Sequence, residues 1–327
     1  MISIGLDVSK LKLDLGWLRD SQSGKVKTKV FNNSDKDFKK MSDWIIKNTK
    51  ADPADILITL EATGVYHEPI CYFLHKLGFP IYVANPAHAK SYADGMGITH
   101  KTDKSDSIML AKFAVDRREK VRIWQPDPIE VRELKSMITR LNALESDYQR
   151  EENRLGSSEF SLPSERVLES LNLMIKIIKE EIERLKSDIN DHIDQHPKLK
   201  ETHRNLMTIP GVGPVLARMM TLLLVSKDFK NAKQVAAFLG LIPKIKESGL
   251  MKGRSTLSKT GSPLYRAKLY MAAICASQWN PDIKRQKEIL LANGKSKMQA
   301  LGAAMRKLVQ ICYGVYKSQK EYQPQVN

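Results

Sequence analysis

Cysteine is scarce in this 327-residue chain. The three present, Cys71, Cys275 and Cys312, are widely separated and show neither a paired framework nor zinc-ligand spacing. A disulfide-stapled secreted domain is thereby excluded, and a reducing cytoplasm is the expected setting. Long apolar runs are missing too. None approaches the roughly 18 residues that span a bilayer, so no membrane partner is expected. The opening MISIGLDVSK lacks the basic lead and apolar length of a secretory signal. Acidic residues run short in one region only. Residues 201–327 hold 6 Asp and Glu against 21 Lys and Arg, which accounts for +15 of the net +16. A basic region beside a balanced one is suited to gripping a polyanion by counterion release.

Residues 2–7 (ISIGLD) and 11–18 (LKLDLGWL) read as strands, and a turn at 21–24 precedes a third at 25–31. Helical spacing follows over 35–48, through Phe38, Met41, Ile45 and Ile46. A short apolar strand at 56–60, a helix near 68–77, a strand at 80–84 and further helices come next. The order βββαβαβα predicts an α/β, ribonuclease-H-like domain over residues 1–126. Past Pro126 and Pro128 the period is helical. Leu168, Leu171, Ile175, Ile178, Ile182, Leu185 and Ile189 alternate three and four apart, a heptad seam within a coiled-coil segment at 127–200. Folding back onto the helix of Leu134, Ile138, Leu141 and Tyr148, or pairing with another subunit, would each bury it. Residues 201–327 read as a basic, mainly α domain. Within it, MTIPGVGPVLARMM predicts two helices joined at Gly211 and Gly213, similar to a helix-hairpin-helix that offers backbone N–H groups to a phosphate. A tight turn between packed helices accounts for the same glycines.

Four carboxylates stand where a merely solvated charge is not expected. Asp7 ends an apolar strand, and Glu61 directly follows ILITL; burying an unneeded carboxylate at either place is expensive. Asp103 and Asp106, in KTDKSD, lie three apart at a helix start and share one face. Together they form an all-oxygen set suited to Mg2+ (or Mn2+). Two such ions can clamp the attacking and leaving oxygens of a phosphodiester. Metal-dependent cutting or joining of nucleic acid is therefore the expected chemistry. Asp14, Asp94 and Asp116 read as structural or exposed groups. His192 and His196, four apart without an HExxH motif, are not read as metal ligands.

The ordered set GLDVSK, LEATGVY, NPAHAKSYA, KTDKSD, IPGVGP, FLGLIP, KESG, KTGSPLYRAKLYMAA and GAAMRKLVQICYGV resembles the DEDD insertion-sequence transposases. These are relatives of the Piv DNA invertase, understood as bridge-RNA-guided recombinases. The resemblance spans nearly the whole chain, with the heptad region its least distinctive part. It implies a DNA transposase or site-specific recombinase with a RuvC-like domain whose acidic residues are Asp7, Glu61, Asp103 and Asp106. It further implies a C-terminal transposase domain whose nucleophilic serine is Ser248, forming a covalent phosphoserine. Donor and target DNA, a non-coding bridge RNA, a homotetramer and a nucleoid-associated place in a bacterial or archaeal cytoplasm complete the implied picture. Read from the residues alone, Ser248 beside Gly249 is ordinary turn chemistry. Lys244, Lys246, Lys252 and Arg254 are placed to neutralise a phosphate near it, and Ser255, Ser258 and Ser262 are local competitors.

Two other functions fit parts of the chain. A RuvC-type Holliday-junction resolvase, or a DNA invertase working without a guide RNA, would need the four carboxylates; the resolvase would leave the basic region and its serine idle. An actin-like kinase would need a second glycine-rich phosphate loop and an adenosine motif beside GLDVSK, and the 17 glycines supply neither.

Overall fold

The two faces of one strand decide the N-terminal architecture. In β1 (Ile2–Val8), Ile4, Leu6 and Val8 point one way and Ser3, Gly5 and Asp7 the other. The strand is central in a five-stranded sheet of order β3-β2-β1-β4-β5. Strands β2 (Lys12–Leu18) and β3 (Val26–Asn32) add antiparallel, whereas β4 (Ile56–Glu61) and β5 (Ile81–Ala84) add parallel. This is the ribonuclease-H-like topology that the element order predicts. The computed structural model describes residues 2–20, 24–62, 64–97, 102–158, 160–161, 163–244, 247–248, 251–252 and 256–325, with the backbone alone at 247, 248, 251 and 252. The chain forms two compact units, Met1–Pro126 and Asp127–Asn327.

Helices α1 (Asp35–Thr49) and α2 (Glu68–Lys76) bury Phe38, Met41, Ile45, Ile70 and Leu74 against Ile4, Leu6 and Ile58 on one side of the sheet. On the other side α3 (Pro86–Gly95) and α4 (Asp103–Asp116) pack through Ala89, Met109, Leu110 and Phe113. Helix α4 comes unusually near the strands because two glycines face it. Gly5 and Gly16 are register partners on β1 and β2. A Cβ on Gly5 would stand 1.8 Å from the Ser107 carbonyl oxygen, and one on Gly16 would stand 2.9 Å from the Ile108 nitrogen. Backbone thus meets backbone where any side chain would hold the helix off. Ser3 Oγ fastens the contact by donating to the Ala111 carbonyl at 2.7 Å. Since Ser3 lies by Ala111 and Gly5 by Ser107, α4 runs antiparallel to β1, and its N-terminus arrives at the strand end that carries Asp7.

The second unit is built on an antiparallel pair, α5 (Ile129–Ser158) and α6 (Glu165–Gln195). Ile178, Ile182 and Ile189 of the heptad seam bury against Val131, Leu134, Ile138, Leu141 and Leu144, so much of the seam folds back on the preceding helix. Leu199 of α7 (Pro197–Met207) and Leu222 of α8 (Pro214–Ser226) extend the same core. A larger core joins α7, α8 and α9 (Ala232–Phe238) to α10 (Pro263–Trp279), α11 (Pro281–Ala292) and α12 (Lys297–Ser318). The polar basic stretch after Leu241 contains paired two-residue strands that composition does not reveal. Here β6 (Pro243–Lys244) pairs with β9 (Thr256–Leu257), and β7 (Glu247–Ser248) with β8 (Met251–Lys252). After α12 the chain folds back: Tyr322 donates to Asp282 at 2.7 Å and its backbone N–H to Thr208 at 2.8 Å. Among the described residues, no helix is long and apolar enough to cross a membrane.

Candidate active site

Strand register sets three carboxylates side by side. Asp7 pairs with Asp14 across the β1–β2 hairpin. On the other flank Leu6 pairs with Leu60, which leaves Glu61 one step on, beside Asp7. Partners in register share a sheet face, so Asp14, Asp7 and Glu61 form a row across β2, β1 and β4. It is the same face on which Gly5 and Gly16 admit α4.

Helix α4 brings its first turn over that row. Thr102 caps it: its Oγ1 accepts from the Ser105 N–H at 3.1 Å, while Ser105 Oγ accepts from the Thr102 N–H at 2.9 Å. Asp103 and Asp106 occupy the first turn, where the positive end of the helix dipole offsets part of their charge. Lys12, on the same side of β2 as Asp14, reaches up to Asp103 with a hydrogen bond and lies 3.3 Å from Asp14. Its strand position is fixed by the turn at Ser9, whose N–H donates to the Lys12 carbonyl at 3.0 Å and whose Oγ accepts from the Lys12 N–H at 3.1 Å.

The electrostatic consequence falls on Asp7. Burial, followed by the negative charges of Asp103, Asp106, Asp14 and Glu61, pushes its carboxyl up from the ordinary 3.8 to about 6. Three of the four residues singled out from the sequence, Glu61, Asp103 and Asp106, therefore act on the fourth, Asp7. Among the described residues, no three His, Cys, Asp or Glu side chains stand near enough to one point to hold a metal ion as they are. The donor set nonetheless fits a hard divalent cation. Every candidate is a carboxylate, and Asp7 retains its proton well above the usual range, as expected of a site where negative charge exceeds positive.

Of the weaker acidic candidates, Asp14 is 7% exposed and belongs to the row, which its place opposite Asp7 through a short hairpin signals in retrospect. Asp94 is exposed, and Asp116, at the far end of α4, accepts a hydrogen bond from Tyr92. Nothing local in the sequence ties Lys12 to Asp103, 91 residues away, so only the folded chain reveals the pair. His192 and His196 have local partners: His192 Nε2 lies 2.8 Å from the Glu130 carbonyl, and His196 Nδ1 lies 2.7 Å from the His192 carbonyl.

In the second unit, Ser248 ends β7 and pairs in register with Met251 of β8. Lys244 is exposed on β6; Lys246 and Arg254 lie outside the described residues, and Lys252 is described by its backbone on β8. Gly211 has φ +96°, and a Cβ there would stand 2.6 Å from the Ala276 Cβ, so packing on α10 by itself demands this glycine. Gly213 is the exposed N-cap of α8, with open space where its side chain would be.

A mixed sheet of this order, with carboxylates at the ends of its central strands beneath a helix N-terminus, defines a member of the ribonuclease-H-like class. Comparison with known proteins narrows the class. Residues 4–158 match a DEDD-type transposase family, and residues 203–288 match the Transposase IS116/IS110/IS902 family. The chain belongs to this transposase family and is an enzyme of DNA recombination. The pilin gene-inverting proteins of Moraxella bovis and Moraxella lacunata are each 26% identical to it over 336 residues, covering 99% of this chain and 98% of theirs. Among solved structures, Thermus thermophilus RuvC aligns with 38% of this chain and 100% of its own, at 12% identity and a TM-score of 0.29.

Proposed function

We propose that this protein cuts and rejoins DNA strands through two chemical centres, a carboxylate metal site and a serine nucleophile, under the direction of a non-coding bridge RNA. The observation that carries the first centre is the raised Asp7 carboxyl, about 6, within the row Asp14–Asp7–Glu61 and beneath Asp103 and Asp106. Asp7, Glu61, Asp103 and Asp106 would hold Mg2+ or Mn2+. A bound divalent ion supplies Lewis-acid stabilisation of the charge that develops on phosphate oxygens. The chain's own residues orient it: the close approach at Gly5 and Gly16 fixes α4 over the strand ends, and the Thr102–Ser105 cap fixes the first turn.

Ser248 is the proposed nucleophile. Its hydroxyl oxygen bonds to phosphorus and gives up its proton, the bond from phosphorus to a deoxyribose oxygen breaks, and that oxygen takes up a proton. A hydroxyl from the new partner strand then attacks the phosphoserine and releases the serine. A covalent hold conserves the energy of the broken bond for rejoining. The support is the resemblance at KESG, the strong basicity of residues 201–327, and the paired β7–β8 strands that carry Ser248. Gly211, Gly213, Lys244, Lys246, Lys252 and Arg254 are the proposed contacts to nucleic acid. The working unit is proposed to be a homotetramer bound to donor and target DNA. The test is recombination between two plasmid sites with bridge RNA supplied. Ser248→Ala should abolish the product and also the detergent-resistant protein–DNA adduct; product formed by Ser248→Ala would remove the serine from the mechanism.

The full-length likeness to two gene-inverting proteins favours a second reading, DNA inversion without a guide RNA. Inversion by protein stripped of RNA with ribonuclease would establish it, whereas complete dependence on added RNA would exclude it.

A further inference from the structure

We propose that Lys12 is a resident counter-ion of the acidic site: its ammonium holds Asp103 when metal is absent and gives that carboxylate up when a divalent cation enters. The inference rests on the reading that Asp7, Glu61, Asp103 and Asp106 hold metal, and goes beyond it by assigning a competitor that sets the affinity.

Three features of the structure carry it. Lys12 bridges two carboxylates of different standing. Asp14 is 7% exposed and lies 3.3 Å from the ammonium, whereas Asp103 is exposed at the helix start and accepts a hydrogen bond from it. The bridge is built into the fold, because the Ser9–Lys12 turn and the Asp7–Asp14 register hold the lysine backbone at the mouth of the row. Lastly, no three acidic side chains among the described residues meet at one point, and Asp103 is directed to an ammonium.

Exchange is therefore unequal at the two ends. Asp14 is buried, lies opposite Asp7 and has a cation beside it, so it serves as the anchor for Lys12 and not as a metal ligand. Asp103 is the mobile end, able to turn from the ammonium to an incoming ion. The lysine side chain is 45% exposed, which leaves room for its ammonium to withdraw while still paired with Asp14. A fixed positive charge this close opposes a divalent ion by simple Coulomb repulsion, even at near-aqueous dielectric. Lys12 thus weakens metal binding while it keeps the metal-free row from flying apart, and it acts as a positioning residue through Asp103.

Mn2+ binding to the full-length protein, followed by the electron paramagnetic resonance of free Mn2+, tests this without any turnover. Lys12→Met should tighten Mn2+ binding about five- to tenfold, Lys12→Arg should stay within about twofold of the parent, and Lys47→Met, the same charge change on α1 across the sheet, should leave it unmoved. Unchanged affinity in Lys12→Met overturns the proposal, as does weakened binding restored by Lys12→Arg, and equal tightening in Lys47→Met would reduce the effect to net charge. Asp7→Asn in the same titration separates the two readings. If it fails to weaken binding, the metal site itself is wrong; if it weakens binding while Lys12→Met does not tighten it, only the counter-ion assignment falls.

Discussion

Replacing Asp7 by asparagine should make the metal-free protein more stable at neutral pH, while ending its chemistry. The carboxyl is raised from 3.8 to about 6 in the folded chain. A group with a folded pKa above its unfolded one binds more protons when folded. Its contribution therefore favours the fold fully below about pH 4, and is lost as the pH rises through about 6. At 1.36 kcal/mol per pH unit the full difference amounts to about 3 kcal/mol. Asp7 is only half-buried, so solvent screening brings this down to about 1–2 kcal/mol. Asparagine keeps the shape and never ionises. With a chelator present, Asp7→Asn should thus melt about 2–5 °C above the parent near pH 8, and the two should converge toward pH 4. Mn2+ should raise the melting temperature of the parent, in proportion to the logarithm of its concentration over the dissociation constant, and leave the variant unmoved. Thermal melts across that pH range, with and without Mn2+, decide the matter. A variant no more stable than the parent near pH 8, or a gap that persists unchanged at pH 4, would refute the view that burial, with like charges around it, holds the proton on Asp7.

Gly5→Ala places a methyl 1.8 Å from the Ser107 carbonyl oxygen and 2.6 Å from the Ala111 nitrogen, so α4 must retreat. We expect a loss of about 1–3 kcal/mol in denaturant melts and no strand exchange, whereas Gly213→Ala, with open space at its Cβ, should cost only the loss of glycine at a helix N-cap, under about 1 kcal/mol. Tyr322→Phe removes a donor from Asp282, which is 8% exposed, and should destabilise the C-terminal unit by about 1–2 kcal/mol in the same assay.

Much of the proposed site can be read from the sequence because its chemistry is encoded locally. A carboxylate at the end of an apolar strand marks Asp7 and Glu61, and a separation of three on a helix marks Asp103 and Asp106; both signals need only a few neighbouring residues. The fold class followed from the succession of elements, since hairpins join antiparallel neighbours and crossovers return parallel strands, whereas the pairing of β4 with β1 and not with β3 did not. Ser248 is different. A serine beside a glycine in a polar stretch carries no physical mark of reactivity, and only its likeness to a family singled it out.

What the sequence determined by itself was therefore most of the helices and the strands of the larger sheet, the four candidate acids and the asymmetry of charge along the chain. Tertiary structure alone decided that Asp14 stands next to Asp7, that Lys12 meets Asp103 across 91 residues, and that the C-terminal part of the heptad seam of α6, from Ile178 on, closes on α5. The glycines at 5 and 16 likewise gained their meaning only when α4 lay against them. The physical reason is that periodicity tells which face a side chain takes, whereas register and the distance of closest approach depend on two segments far apart in the chain fitting each other.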